Sequence, residues 1–353
     1  MRELHFESIS MLYSDDMSFT VLTTTFNGHF MLQELLHRGH SVHSVVGLNQ
    51  IEFNRLGSER YSSKNLAQSF GIRFHEANTY NLSSELDRVI FNSIKSDYLL
   101  VLGWQRIVPS EIFHQFKSIG IHGSDKGIQF GKGRSPQNWA LILGAHSFEF
   151  SAFSINEGID SGEILQTSEI AISNNDDIQS LHFKVGKEAV NLLELVFENS
   201  NRKLFSIKSD EEVKVEAPEY LPKREPSDGE IDWSRQTVKL YNFIRALSHP
   251  YSCAFTTLHG SVFRILRSKV ICEDSSERFL PGRVRHCISS STLVVECSDG
   301  LLLIEVSGDS RVNFAVGDVF SSVDFAIQMQ RIFDRHQKKY PQLPIAKRLL
   351  SFS

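Results

Sequence analysis

Apolar residues in the first half of the chain fall into two alternating patterns. Residues 18–24 (SFTVLTT) form a continuous run of strand type, and residues 27–38 then space Phe30, Leu32, Leu35 and Leu36 along one helical face until Gly39 stops it. Residues 41–48 predict a second strand, so the chain opens as strand, helix, strand. The alternation continues through a helix over 64–70, a strand over 72–75, a helix over 83–95, a strand over 98–102 and an apolar run ending at His122. A helix over 136–143, strands over 148–155 and 164–172 and a long helix over 178–198 follow. Apolar strands separated by helices predict a Rossmann-like α/β unit with a mostly parallel sheet covered on both faces. Beyond residue 224 the texture changes. A short amphipathic helix over 237–247 precedes short strands over 254–257, 263–268, 282–288, 292–297 and 301–306, with Ser298, Asp299 and Gly300 as a hairpin turn. Strands of that spacing predict a small β barrel or sandwich, and the expected fold class is an α/β unit followed by a smaller β-rich, OB-like C-terminal domain. The expected division is an extension over 1–17, an α/β domain over 18–205, a linker over 206–223 and a C-terminal domain over 224–353 that ends in a helix.

Composition narrows the classes. A chain of 353 residues, 41% hydrophobic and 22% charged, has enough apolar material for two globular units. The net charge of -5 and pI near 6.3 argue against a nucleic-acid partner, because phosphate neutralisation needs a concentrated basic face. No apolar run approaches the roughly 18 residues of a membrane span. Cys253, Cys272, Cys287 and Cys297 form no CxxC pair and no secretory signal precedes them, which predicts reduced thiols in a cytoplasmic protein.

The candidate chemistry centres on His122 and Asp160. The histidine ends a strand, the aspartate sits in a Gly-Ile-Asp-Ser-Gly turn, and the glycine-rich basic loop GSDKGIQFGKGRSPQNW lies between them. A strand-end histidine is by itself more often a packed residue, and an aspartate between glycines often only caps a turn. Together, on rigid supports beside an open loop, they make an acid/base pair. Ligands of such sheets sit beyond the carboxyl ends of the strands, which also brings Gly103, Trp104, Gln105 and Arg106 to the site's edge. Lys132 and Arg134 read equally well as a solvated loop or as phosphate contacts. Asn242 and Arg245 on one helix read as nucleotide contacts or, with more weight, as residues that fix the second domain. No histidine spacing suits a metal, and none is expected.

The order IHGSDKGIQFGKGRSPQNWALILG then INEGIDSGEILQ resembles the folate-dependent formyltransferases: methionyl-tRNA, glycinamide ribonucleotide and sugar-nucleotide branches. REPSDGEIDW (224–233) followed by YNFIRALSHPYSCAF (241–255) is similar to the segment after the catalytic domain in the tRNA and sugar-nucleotide branches. The resemblance spans about residues 18–310. It implies an asparagine, a histidine and an aspartate as catalytic set; His122 and Asp160 match the last two, and Gly120 occupies the asparagine position. It implies 10-formyltetrahydrofolate as co-substrate, bound along Trp104, Gln105, Arg106 and Ile107, with Ser124, Asn138 or a loop amide standing in for the missing oxyanion donor. Ser-Pro-Gln-Asn-Trp resembles the sugar-nucleotide branch. The implied reaction is N-formylation of a nucleotide-linked amino sugar for a surface polysaccharide such as a lipopolysaccharide O-antigen, by a homodimer. Methionyl-tRNA formyltransferase is the alternative enzyme, and a folate- or nucleotide-binding protein impaired at Gly120 is the alternative of another class.

Overall fold

The computed structural model describes residues 17–56, 61–201, 218–273, 278–308 and 313–352. Most of the expected extension over 1–17 and of the expected linker over 206–223 lies outside the described residues. By contacts the chain divides into two units: Met1–His122 with Ser151–Ser168 and Val185–Lys214, and Gly123–Phe150 with Glu169–Lys184 and Val215–Ser353.

The first unit is organised on a sheet. Its strands β1 (Phe19–Leu22), β2 (Val42–Leu48), β3 (Arg73–Ala77), β4 (Tyr98–Val101) and β5 (Lys117–Ser124) run parallel, with Val21 opposite both Val45 and Leu100. The seven-stranded order is β3-β2-β1-β4-β5-β7-β8, where β6 (Lys132–Gly133) stands apart and β7 (Ser147–Ser154) and β8 (Ile164–Ala171) complete the edge. Helices α1 (Phe26–His37), α2 (Gln50–Leu56), α3 (Lys64–Ser69), α4 (Glu85–Ser93) and α5 (Ser110–Phe113) connect the parallel strands. β1 and β2 are buried almost throughout, which is why they read as continuous apolar runs. The strand order reverses across β1 and β4, so their carboxyl ends form the switch point where such sheets bind ligands. Close approach there needs glycine: a Cβ at Gly28 would lie 1.9 Å from the Leu102 carbonyl oxygen. One face packs Leu22, Val46, Leu99, Val101 and Trp104 against Phe91 and Phe113. On the other, Phe197 of α7 (Ile178–Asn201) lies 4.7 Å from Phe19 and 5.3 Å from Tyr98, ring to ring.

The second unit carries a five-stranded antiparallel sheet in the order β10-β11-β14-β13-β12, from β10 (Ala254–Leu258), β11 (Ser261–Glu273), β12 (Val284–Cys287), β13 (Thr292–Glu296) and β14 (Gly300–Ser307). This is the smaller β-rich domain of the expected formyltransferase fold. The hairpin turn is present: Glu296 pairs with Leu301, and Asp299 accepts the amide and hydroxyl of Thr237 at the start of α8 (Thr237–Leu247). α6 (Pro136–Ile142) packs on α8, where Asn138 donates to the Ala246 carbonyl at 2.7 Å. β9 (Tyr220–Leu221), α9 (Phe325–Lys339) and α10 (Lys347–Leu350) complete the unit. Several short elements escaped the sequence pattern, among them α2, seven residues long with little apolar spacing, and the two-residue strands β6 and β9, while β11 extends past its predicted end through Lys269, Val270, Ile271 and Cys272. No helix among the described residues is long and apolar enough to cross a membrane.

Candidate active site

His122 and Asp160 meet within the first unit. β4 pairs with β5 as far as Val101 opposite Gly120, so His122 projects just beyond the ladder at the carboxyl edge. Asp160 has a φ of 47°, a left-handed conformation tolerated by aspartate. Its turn is tied by Asn156, whose Oδ1 accepts from the Gly158 amide and the Ser161 hydroxyl. Gly162 closes it, since a Cβ there would lie 1.7 Å from the Ser154 carbonyl oxygen. His122 Nδ1 and Asp160 Oδ2 stand 3.7 Å apart, with side chains 13% and 22% exposed. That separation exceeds a direct hydrogen bond and suits an ion pair, or one that tightens when substrate excludes solvent. The arrangement leaves Nε2 as the ring nitrogen turned from the carboxylate.

Gly120 lies on the same strand, two residues before His122. A Cβ built on it would come within 2.8 Å of both the Phe153 ring and the Ile155 Cδ1 methyl. The space a side chain would need is filled by these two residues. The two side chains expected to stand in for it are engaged elsewhere. Ser124 is fully buried; its hydroxyl donates to the Gly127 carbonyl and accepts from the Lys126 amide. Asn138 is buried against Ala246.

The segment after β4 has a distinct construction. Trp104 is a core residue, 6% exposed, and its buried indole Nε1–H has no acceptor among the described residues. Ile107 is 55% exposed and presents an apolar side chain at the edge. Tyr80, which sequence reasoning missed, organises the segment: its hydroxyl accepts the Gln105 amide, its ring meets Trp104 edge-on at 5.0 Å, and the Arg106 guanidinium lies 4.6 Å above it. A buried donor without a partner, beside exposed apolar and cationic groups, fits a flat heteroaromatic ring with hydrogen-bond acceptors, as a pterin has.

The remaining expected site residues belong to the second unit. Lys132 is buried in β6 and Arg134 is half-buried beyond it, with their amides bonded to the carbonyls of Glu219 and Leu221. Asn242 and Arg245 are buried together: Arg245 donates to Asn242 Oδ1 and to the carbonyls of Ser173 and Asp176. Burial lowers the pKa of Arg245, and these bonds hold the 173–176 turn. Among the described residues no group of three or more His, Cys, Asp or Glu side chains is placed to hold a metal. The four cysteines are free; Cys253 and Cys297 are buried, Cys272 is half-buried and Cys287 is exposed.

Comparison with known proteins bears on the family and the fold. The formyl transferase model matches residues 21–197, and the formyl transferase C-terminal domain model matches residues 223–310. The N-formyltransferase from Helicobacter canadensis, solved with folinic acid and dTDP-3-aminofucose, is 15% identical, with a TM-score of 0.54 over 83% of this chain and 100% of that one. HypX from Aquifex aeolicus is 17% identical, with a TM-score of 0.57 over 93% of this chain, which spans only 49% of HypX. Methionyl-tRNA formyltransferase from Clostridium thermocellum is 19% identical, with a TM-score of 0.50 over 72% of this chain and 94% of that one. At these identities the neighbours establish the fold; the two matched models, covering both units, establish that this chain belongs to the formyl transferase family.

Proposed function

We propose that the protein transfers the formyl group of 10-formyltetrahydrofolate to the amino group of a nucleotide-linked amino sugar, with His122 and Asp160 as its catalytic residues. The observation that carries the reading is the pair itself, held 3.7 Å apart by a strand end and a braced turn. An uncharged amine attacks the formyl carbon, the carbonyl electrons move to oxygen, and collapse expels the folate N10, which takes a proton. His122 donates to the developing oxyanion or relays the proton, and Asp160 accepts the proton the amine loses and orients the imidazole. The sugar acceptor is supported by neighbours solved with such ligands: the Helicobacter canadensis enzyme with dTDP-3-aminofucose, and WlaRD, a sugar 3N-formyl transferase, with dTDP and 5-N-formyl-THF. The net charge of -5 is a poor match for tRNA.

A second reading rests on Gly120. Absence of one oxyanion donor typically costs on the order of a hundred- to a thousandfold in rate, and the filled space around Gly120 leaves no side chain to supply it from that position. A chain with that loss would bind folate and nucleotide yet turn over too slowly to be useful. The deciding experiment follows tetrahydrofolate release from 10-formyltetrahydrofolate with dTDP-amino sugars, and with charged initiator tRNA as competing acceptor. Turnover with a sugar, abolished by His122→Ala and by Asp160→Asn while both variants stay folded, is the expected result. Full activity in either variant would overturn the site, turnover with tRNA alone would overturn the acceptor, and folate binding without turnover would favour the second reading.

A further inference from the structure

The second unit carries a groove of about 620 Å³, walled by two stretches of chain: one from Asp232 to Lys239 that leads into α8, and one from Ser322 to Ala326 that opens α9. A groove of that volume admits a small organic ligand. Its acidic side chains are already committed. Asp232 Oδ1 accepts the Ser234 amide and the hydroxyls of Ser234 and Ser322, and Oδ2 accepts the Phe325 amide at 3.0 Å. Asp324 Oδ1 caps α9 through the amides of Ala326 and Ile327.

The basic side chains of the groove are not committed in this way. Arg235 Cζ lies 3.6 Å over the Phe325 ring and 5.0 Å over the Phe352 ring, and these two rings meet edge to face at 6.1 Å. The rings hold a planar cation in place while taking none of its N–H donors in a conventional hydrogen bond. Arg235 makes backbone bonds to Asp232 and Ser298, but its guanidinium has no hydrogen-bond acceptor among the described residues. Burial draws its pKa down to about 10 although Asp232 acts in the opposite direction, so the charge has lost water without gaining a full counter-charge. On α8, Lys239 is exposed, and its ammonium likewise has no acceptor among the described residues.

We propose that this groove binds a phosphate ester or pyrophosphate of up to nucleotide size, with the Arg235 fork on the phosphoryl oxygens and Lys239 as the second cation. A carboxylate would occupy the fork alone, whereas a phosphoryl group has further oxygens to meet the ammonium as well. The two carboxylates of the groove balance its two cations, so attraction comes from short-range, charge-assisted hydrogen bonds rather than from a broad positive field. Val323 and Ala326 give the groove an apolar wall for the organic part of such an ester. Every residue of the site belongs to the second unit, and the inference does not depend on the proposed formyl transfer. The wall from Ser322 to Ala326 lies beyond residue 310, where the match to the family's C-terminal model ends.

Titration calorimetry on the full chain tests the site, with pyrophosphate, ADP and adenosine as probes and with wild type, Lys239→Gln, Arg235→Lys and Arg235→Gln as proteins. Pyrophosphate and ADP should bind wild type to saturation, and adenosine should not bind. Removing one charged donor group, in Lys239→Gln or Arg235→Gln, should weaken both probes about tenfold or more. Arg235→Lys should fall between, since it keeps the charge and loses the fork. Tighter binding of ADP than of pyrophosphate would assign a nucleotide and equal affinity a phosphate group alone; either outcome supports the site. No binding to wild type, adenosine binding as well as ADP, or unchanged affinity in Lys239→Gln would overturn it. Because Lys239 is exposed, Lys239→Gln decides the matter even if the Arg235 variants do not fold.

Discussion

At Gly120 the sequence leaves open whether Ser124, Asn138 or a loop amide replaces the donor that asparagine would supply, and the packing adds what residue type alone does not tell. The tips of the Phe153 and Ile155 side chains lie within 2.8 Å of where a Cβ would stand. Gly120→Asn should therefore destabilise by about 1–3 kcal/mol through overpacking and should bring no gain in rate; thermal melting and tetrahydrofolate release measured on the same preparation check both. Asp160 leads to a different expectation. Asp160→Asn keeps the size and the tolerance for a left-handed backbone, so it should melt within a degree or two of wild type while losing most of its turnover. His122 and Asp160 were legible as a pair because each stands in a local pattern, a strand end and a glycine-bounded turn. The partners of Ser124 and Asn138 were not. Nothing in either local pattern tells that a hydroxyl will close its own loop or that an amide will meet a carbonyl more than a hundred residues away.

At the scale of elements, the segment proposed to hold the folate depends on a loop earlier in the sequence. Ser84 and Asp87 form a reciprocal cap at the start of α4, and the same Asp87 carboxylate, fully buried, also accepts from Asn78, Thr79 and the Thr79 hydroxyl. That one side chain shapes the 78–84 loop, and the loop carries Tyr80, on which Gln105 and Arg106 rest. Asp87→Asn exchanges an acceptor-only group for one with two donors among donors, at a cost of about 1–3 kcal/mol for buried groups left unsatisfied. If that segment holds the folate, the change should raise KM for 10-formyltetrahydrofolate more than KM for the acceptor; steady-state kinetics with each substrate varied in turn would show the split. The parallel strands, helix α1 and the hairpin before β14 could be read in advance, since each is written in contiguous residues by burial, period or turn chemistry. β6, β9 and the strand-like Ile345 contact could not. They are a two-residue pairing and a single bridge joining positions 132, 220 and 345, with no period to announce them.

Across the whole molecule, buried titratable groups shape how the protein responds to acid, and His182 is a buried histidine that acts in the mildly acidic range. It lies on α7, with Nδ1 against Gln137 Oε1 and Nε2 3.3 Å from the Tyr251 hydroxyl. With Nδ1 donating to the amide oxygen, Nε2 accepts from the phenol, so the neutral ring suits both neighbours and an added proton on Nε2 would face a donor. Burial pushes its pKa from 6.5 down to about 4. Between those values the unfolded chain binds a proton that the folded chain does not, so stability rises with pH through this window and is lost as pH falls from 6.5 toward 4. At about 1.4 kcal/mol for each tenfold loss of proton affinity, the full effect at the acid end is about 3 kcal/mol. His29 and His75, both lowered chiefly by burial, add in the same direction. Asp97, lowered chiefly by the Ser18 amide, acts below this window, where the folded chain resists protonation of its carboxylate. Urea unfolding at a series of pH values should thus show a steady decline from pH 7 to 4, and His182→Gln, which keeps a polar side chain at the same place, should flatten that decline. An unchanged slope in the variant would mean that the remaining histidines and carboxylates set the acid response and that the buried ring is protonated without penalty. A flattened slope would tie acid sensitivity to the contact between α6, which carries Gln137, and the Tyr251 segment that follows α8, the same packing that buries Asn138 against Ala246.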